Sequence, residues 1–204
     1  MKLWSEIKAA ALNKLFLEES EAQEQGYLAK FQYLANECLN IIANGVKPKI
    51  ASFTVTTTSD MAPATMPDDF LSFAGMTNYY YKLNDSGDVV DTLPDADVIY
   101  VTDKQIILPK KGKYIIYYNA LWNEITDDDV RNDNANVLNI DSSVLNCIPT
   151  YIASQLLSQD DPQRSAILKN EFELMLSRLD TTIMYQEQHF KSPGGWYWWR
   201  ELNY

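Results

Sequence analysis

The chain has 204 residues, 46% of them hydrophobic and 22% charged, with 28 acidic against 17 basic residues and a formal net charge of −11. That length suits one domain, or one core carrying a sizeable insertion, with a hydrophobic share ordinary for a globular chain. The acidic balance argues against binding of nucleic acid through an outer basic surface, though not against a wall that DNA merely passes.

Lys2 to Glu19 reads as a helix, with Leu3, Ile7, Ala10, Ala11, Lys14 and Leu15 along one side. A second helix is expected from about Glu21 to Ala43, striped by Leu28, Phe31, Leu34, Ala35, Cys38, Leu39 and Ile42. Asn44-Gly45 is a helix stop, and Pro48 keeps the chain extended beyond it.

From Ile50 to Thr58 the period changes to two. Ala51, Phe53 and Val55 alternate with Ser52, Thr54 and Thr56, the pattern of a half-buried strand. Pro63 and Pro67 interrupt it, and Met66-Pro67-Asp68-Asp69-Phe70 predicts a turn into a short helical segment, Asp69 to Ala74. Asn78 to Leu83 is an aromatic strand through Tyr79, Tyr80 and Tyr81, turned by Asn84-Asp85-Ser86-Gly87. Val98–Thr102 and Gln105–Leu108 predict a hairpin across Asp103-Lys104. Pro109-Lys110-Lys111-Gly112 turns again into a strand over Tyr114–Tyr118.

Ala120 to Asp141 is irregular. Its acidic runs, Asp127-Asp128-Asp129 and Asn132-Asp133-Asn134, read as solvated loop. They lack the alternation and the glycine of a calcium loop, so no metal is expected. Ser143 to about His189 reads as a helical hairpin that organises the chain. Val144, Leu145, Ile148, Ile152, Leu156 and Leu157 share one helical face, with Ser142 or Ser143 as the cap. Gln159-Asp160-Asp161-Pro162 breaks and restarts the helix. Ile167, Leu168, Phe172, Met175, Leu176, Leu179, Ile183 and Met184 continue the apolar spacing beyond it.

Ser192-Pro193-Gly194-Gly195 ends that helix, and Trp196-Tyr197-Trp198-Trp199-Arg200-Glu201-Leu202-Asn203-Tyr204 follows. Aromatic side chains behind a Gly-Gly hinge either fold back on their own core or dock on another subunit, where such anchors act as hot spots. The expected architecture is α+β and mainly α, in a single domain. It joins a helical bundle from 1–45 and 142–190, a β-insertion at 50–119, and an aromatic tail at 192–204.

Little in the sequence points to catalysis. The one histidine, His189, sits near a helix end, where a positive imidazole suits the helix dipole. There is no P-loop, G-x-G-x-x-G, H-E-x-x-H or C-x-x-C motif, and none of the acids stands out as half of a glycosidase pair. Cys38 and Cys147 fall inside helix patterns and read as reduced, buried thiols. No signal peptide is read, and no run of apolar residues is long enough for a membrane span, so a cytoplasmic setting is expected. No cofactor is expected, and a non-enzymatic role is favoured.

The order of elements, together with Pro67-Asp68-Asp69-Phe70, Tyr117-Tyr118-Asn119-Ala120-Leu121-Trp122 and Ile148-Pro149-Thr150-Tyr151-Ile152-Ala153, resembles the head-to-tail adaptor (connector) proteins of tailed bacteriophages. In that family a Pro-Asp-Asp-Phe type segment often precedes the β-part. A strand ending in Tyr-x-Ala and an acidic stretch commonly precede a Leu-Pro-x-Tyr-hydrophobic-Ala helix. The likeness covers most of residues 21–190 in layout, and only these short pieces in letters.

The resemblance implies a homo-oligomeric ring, typically dodecameric, beneath the portal protein in the virion neck, assembled in the host cytoplasm. Such a ring extends the DNA channel without reading sequence and offers the platform for a downstream neck or tail protein, with no membrane contact. Trp196, Tyr197, Trp198, Trp199, Leu202 and Tyr204, with Tyr79, Tyr80 and Tyr81, would then be protein-interface residues. Asp127, Asp128 and Asp129 would face the channel. Alternative readings are another ring component of the neck or tail, and a carbohydrate-binding module or enzyme that uses the same aromatics as stacking platforms.

Overall fold

The computed structural model describes residues 3–73, 80–93, 99–102, 104–132 and 140–187. The architecture is α+β. Three helices open it: α1 (Trp4–Leu15), α2 (Glu19–Glu24) and α3 (Leu28–Gly45). Eight strands follow: β1 (Lys49–Thr57), β2 (Ala62–Thr65), β3 (Phe70–Phe73), β4 (Tyr80–Leu83), β5 (Val89–Leu93), β6 (Ile99–Thr102), β7 (Gln105–Leu108) and β8 (Gly112–Ala120). Four helices close it: α4 (Asp127–Asn132), α5 (Ser142–Leu145), α6 (Ile148–Asp160) and α7 (Pro162–Glu187).

The two opening helices expected from the sequence are three. Glu6 accepts the Leu3 N–H at 3.0 Å and starts α1. Phe16 then ends it in the left-handed region, with φ 56°. A phenylalanine pays for that conformation in strain unless something holds it, and here Arg164 of α7 does. The guanidinium donates to the carbonyls of Lys14 and Leu15, the last of α1, and lies 3.8 Å over the Phe16 ring. Gly26, at φ 69°, breaks the expected second helix into α2 and α3.

At the other end, α6 and α7 form the expected antiparallel hairpin. Tyr151 meets Phe172, and Ser165 donates to the Ser154 carbonyl at 2.7 Å. Asp161 accepts the Arg164 N–H at 3.1 Å and caps α7. The start of the hairpin differs from expectation. Asp141, not Ser142 or Ser143, caps α5, and the chain breaks before α6 begins at Ile148. The stripe on α7 holds at Leu168, Phe172, Leu176 and Leu179, but Ile167 is exposed. α6 is wrapped: every residue from Ile148 to Ser154 is buried. It packs on α1, α3 and α7 as the axis of a helical core.

The β-part makes two antiparallel sheets. In one, β8 is the spine. It pairs with β1 along all nine residues of each, and on its other side with β4 and β3, while β5 extends the sheet beyond β4. The other runs β2–β7–β6. The expected hairpin across Asp103-Lys104 is present as β6–β7, and the alternation of β1 is that of the half-buried strand expected.

Three elements correct the sequence reading. Within the segment read as helical, Asp69 to Ala74, Phe70–Phe73 is strand β3, because it finds partners at Tyr118–Ala120 of β8, while Ala74 lies outside the described residues. Pro63 does not interrupt the sheet: it sits in β2, an edge strand, where its missing N–H costs no ladder bond on the solvent side. The acidic run Asp127–Asp129 is the first turn of α4 rather than open loop. Strand β5 was also unanticipated, since Val89–Leu93 carries only a short apolar signal.

Two clusters of buried side chains result. One gathers the helices with Trp122, Ile125 and Ile140. The other lies inside the β-part, around Ile106, Leu108, Tyr114, Ile116 and Tyr118. Among the described residues no buried side-chain nitrogen or oxygen lacks a hydrogen-bond partner. None of the described helices is long and apolar enough to cross a membrane.

Candidate functional site: the junction of the two cores

The β-part leaves the helical part through one pair of strand ends. β1 starts at Lys49 directly opposite Ala120, where β8 ends. Several buried and part-buried polar contacts meet around that pair. The Trp122 indole Nε1–H donates to the Lys47 carbonyl at 2.9 Å. Lys47 is only 6% exposed, and its ammonium donates to Asp141 at 2.7 Å and to Ser143 at 3.1 Å. Asp141 also accepts the Ser143 backbone N–H and hydroxyl. One short cluster thus ties the end of α3, the strand pair and the start of α5.

Electrostatics follow from that packing. Burial pushes the Asp141 carboxyl up, but the hydrogen bonds from Lys47 and Ser143 outweigh it and hold the group at about 2. A buried ammonium without that carboxylate would be an uncompensated charge.

Further contacts lock both sides of the junction. Gln32 and Asn36 of α3 both donate to the Ile125 carbonyl at 3.0 Å, and Asn36 accepts the Ile125 N–H at 2.8 Å. On the sheet side Asp69 accepts the Tyr118 hydroxyl at 2.8 Å, and its carbonyl accepts the Leu121 N–H. Burial, then the bond to Asp69, raises the Tyr118 phenol to about 12. The Pro67–Phe70 segment therefore acts as a brace, with Phe70 buried in the β-core beside Tyr118.

The residues singled out in the sequence fall elsewhere. Tyr81 of β4 is half-buried and meets Tyr117 edge-on, with centroids 5.9 Å apart at 89°. That geometry is cross-strand packing, not an open stacking platform. Tyr80 pairs through its backbone with Leu93 and Ile116. Tyr79, His189 and the tail residues Trp196, Tyr197, Trp198, Trp199, Leu202 and Tyr204 lie outside the described residues. Asp127 and Asp128 are exposed at the start of α4. Asp129 has a structural task, accepting the Thr126 N–H at 2.8 Å while its own N–H meets the Thr126 hydroxyl. The structure does not bring the acidic run and the tyrosine strand together in any described contact.

Lys47, Asn36 and Asp141 have no role in the sequence reading, and Trp122 enters it only as the last letter of Tyr117–Trp122. Lys47 directly before Pro48, just past a helix stop, was the one available signal: a lysine held at a chain corner. Cys38 and Cys147 are free and buried. Burial first, then Cys147 and Glu37 nearby, pushes the Cys38 thiol well above its usual range, so it stays protonated. Among the described residues no three His, Cys, Asp or Glu side chains gather as a metal site.

Compared with known proteins, the chain matches no protein-family model. No curated protein matches it either.

Proposed function

We propose that the chain is a structural head-to-tail adaptor of a tailed bacteriophage, a ring subunit that sits beneath the portal, continues the DNA channel and carries the next neck or tail protein. The observation that carries the reading is the layout. Opening helices, a β-insertion leaving through one braced strand pair, and a closing helical hairpin follow one another in the order of that family. The short sequences of the resemblance support it, because they occupy framework positions: Asp69 and Phe70 brace the sheet, and Ile148–Ala153 is the buried start of the central helix. The net charge of −11 suits a channel wall from which phosphate is repelled and along which DNA slides. Its station is the virion neck, its role is assembly rather than catalysis, and it needs no cofactor.

The test is genetic. Disrupting the gene should leave heads that package DNA, lose it and carry no tails, and adding purified protein to those heads should restore tail attachment. Normal tailed particles without the protein would refute the reading.

A further inference from the structure

Natural sheets guard their open edges with proline, charge, bulges or short strands, because an unguarded edge templates a further strand. The described edges of this protein follow that rule with one exception. β2 contains Pro63, β5 contains Asp91, and β3 and β6 are four residues long with shifted registers. β1 instead runs nine residues in unbroken register against β8. After Lys49 it carries no charge, no proline and no glycine. Its other edge has no strand partner among the described residues.

That edge is held in shape and only half covered. The Thr57 hydroxyl accepts the Gly112 N–H at 3.0 Å and pins the end of the ladder. Phe53 meets Tyr118 edge-on, with centroids 5.9 Å apart. Yet Ala51, Phe53 and Val55, the row that faces the β-core, are only half-buried. On the other face Ile50, Ser52, Thr54 and Thr56 are exposed. An edge already ordered loses little freedom when a strand adds to it.

We propose that the β1 edge pairs antiparallel with the β1 edge of a second copy of this chain, about a two-fold axis beside Phe53. Directly opposite residues of an antiparallel pair share a face. Pairing along the full strand sets Lys49 opposite the partner's Thr57, so the two lysines lie at opposite ends and no like charges meet. Ala51 then meets the partner's Val55, and Phe53 meets the partner's Phe53. The two half-buried rows join into one apolar row across the boundary. On the outer face Ile50 meets the partner's Thr56 and Ser52 meets the partner's Thr54, so hydroxyl side chains face each other at the centre. A slip of one residue would set the apolar row against the hydroxyl row, so the two faces specify the register.

No other described strand matches this edge. β2, β3, β6 and β7 are four residues long, and β4, β5 and β8 carry Lys82, Asp91 and Lys113. The proposal goes beyond the adaptor reading and does not rest on it. A two-fold contact closes on itself and cannot alone propagate around a ring.

Sedimentation velocity of the full chain over a concentration series tests it, and a reversible dimer is expected. Ser52→Lys with Thr54→Lys sets like charges opposite each other twice in each dimer and should weaken it about tenfold. Ser52→Glu with Thr54→Glu should weaken it as well, and mixing the lysine and glutamate variants should bring the dimer back. A second measurement does not depend on how the charged variants fold. Chains with Ser52→Cys, mixed with chains with Thr54→Cys, should join by a disulfide under oxidised glutathione faster than either variant joins itself. A parent that stays monomeric at every concentration, a dimer indifferent to the lysines, folded variants that do not recover on mixing, or a disulfide no faster between the variants than within each would overturn the proposal. Portal takes no part in these measurements, so their failure rejects the β1 contact and leaves the adaptor reading to its own test.

Discussion

The Trp122 indole donates its N–H to the backbone carbonyl of Lys47, across 2.9 Å and between two buried residues. This bond joins the chain on its way out of the β-part to the chain on its way in. Trp122→Phe keeps most of the volume but leaves the carbonyl without that donor, which should cost about 1–3 kcal/mol. Trp122→Ala also opens a cavity and should cost about 3–5 kcal/mol. Urea unfolding followed by circular dichroism measures both. A Phe variant within about 0.5 kcal/mol of the parent would show the bond to be incidental.

Lys47 and Asp141 give a pH prediction. The Asp141 carboxyl is held down at about 2 in the folded chain, against an ordinary value of 3.8. A depressed carboxyl stabilises the fold fully above the unfolded value and loses that contribution as pH falls through the folded one. Stability should therefore decline between about pH 4 and pH 2. Asp141→Asn keeps a capping side chain but strands the buried ammonium. The expected loss at pH 7 is about 2–3 kcal/mol, below the usual range for breaking a buried pair because the Asp141 side chain is 33% exposed. The gap between parent and variant should close as pH approaches 2. A gap independent of pH would remove the ion pair as its cause.

Arg164 holds the end of α1. Arg164→Lys retains the charge but loses the planar fork that reaches two carbonyls and stacks on Phe16, so a loss of about 1–2 kcal/mol is expected. Amide hydrogen exchange should show faster opening in the last turn of α1 and little change in the β-part. Uniform acceleration throughout would contradict a local clasp.

The thiols offer a direct check of the helical core. With Cys38 and Cys147 buried, a thiol reagent should label neither in the folded protein and both in denaturant. Fast labelling of either in the native state would mean that the packing of α3 on α6 is wrong.

Local signals made much of this fold legible. The alternation of β1, the β6–β7 hairpin and the Asp-Pro restart of α7 all depend on neighbours in sequence. Most of the departures have a different cause. β3 was read as helix because Pro67-Asp68-Asp69 looks like a helix start, whereas pairing with Tyr118–Ala120, some fifty residues on, decides it. The end of α1 at Phe16 had no glycine to announce it, since Arg164 supplies the restraint from the far end of the chain. Gly26 is a local break signal, but it lies just before a long apolar stripe whose period runs on beyond it. The junction was invisible for the same reason as β3: Lys47, Trp122 and Asp141 lie 75 and 94 residues apart by their contacts, and no local pattern links them.

The adaptor reading is tested most directly by mass. The protein, 23.4 kDa as a monomer, would be run by size-exclusion chromatography with light scattering, alone and then mixed with the portal protein of the same genome. The account predicts that the chain moves onto the portal peak and that the added mass equals a full ring of subunits. A chain that elutes unchanged beside the portal, whether as a monomer or as a ring of its own, would contradict it.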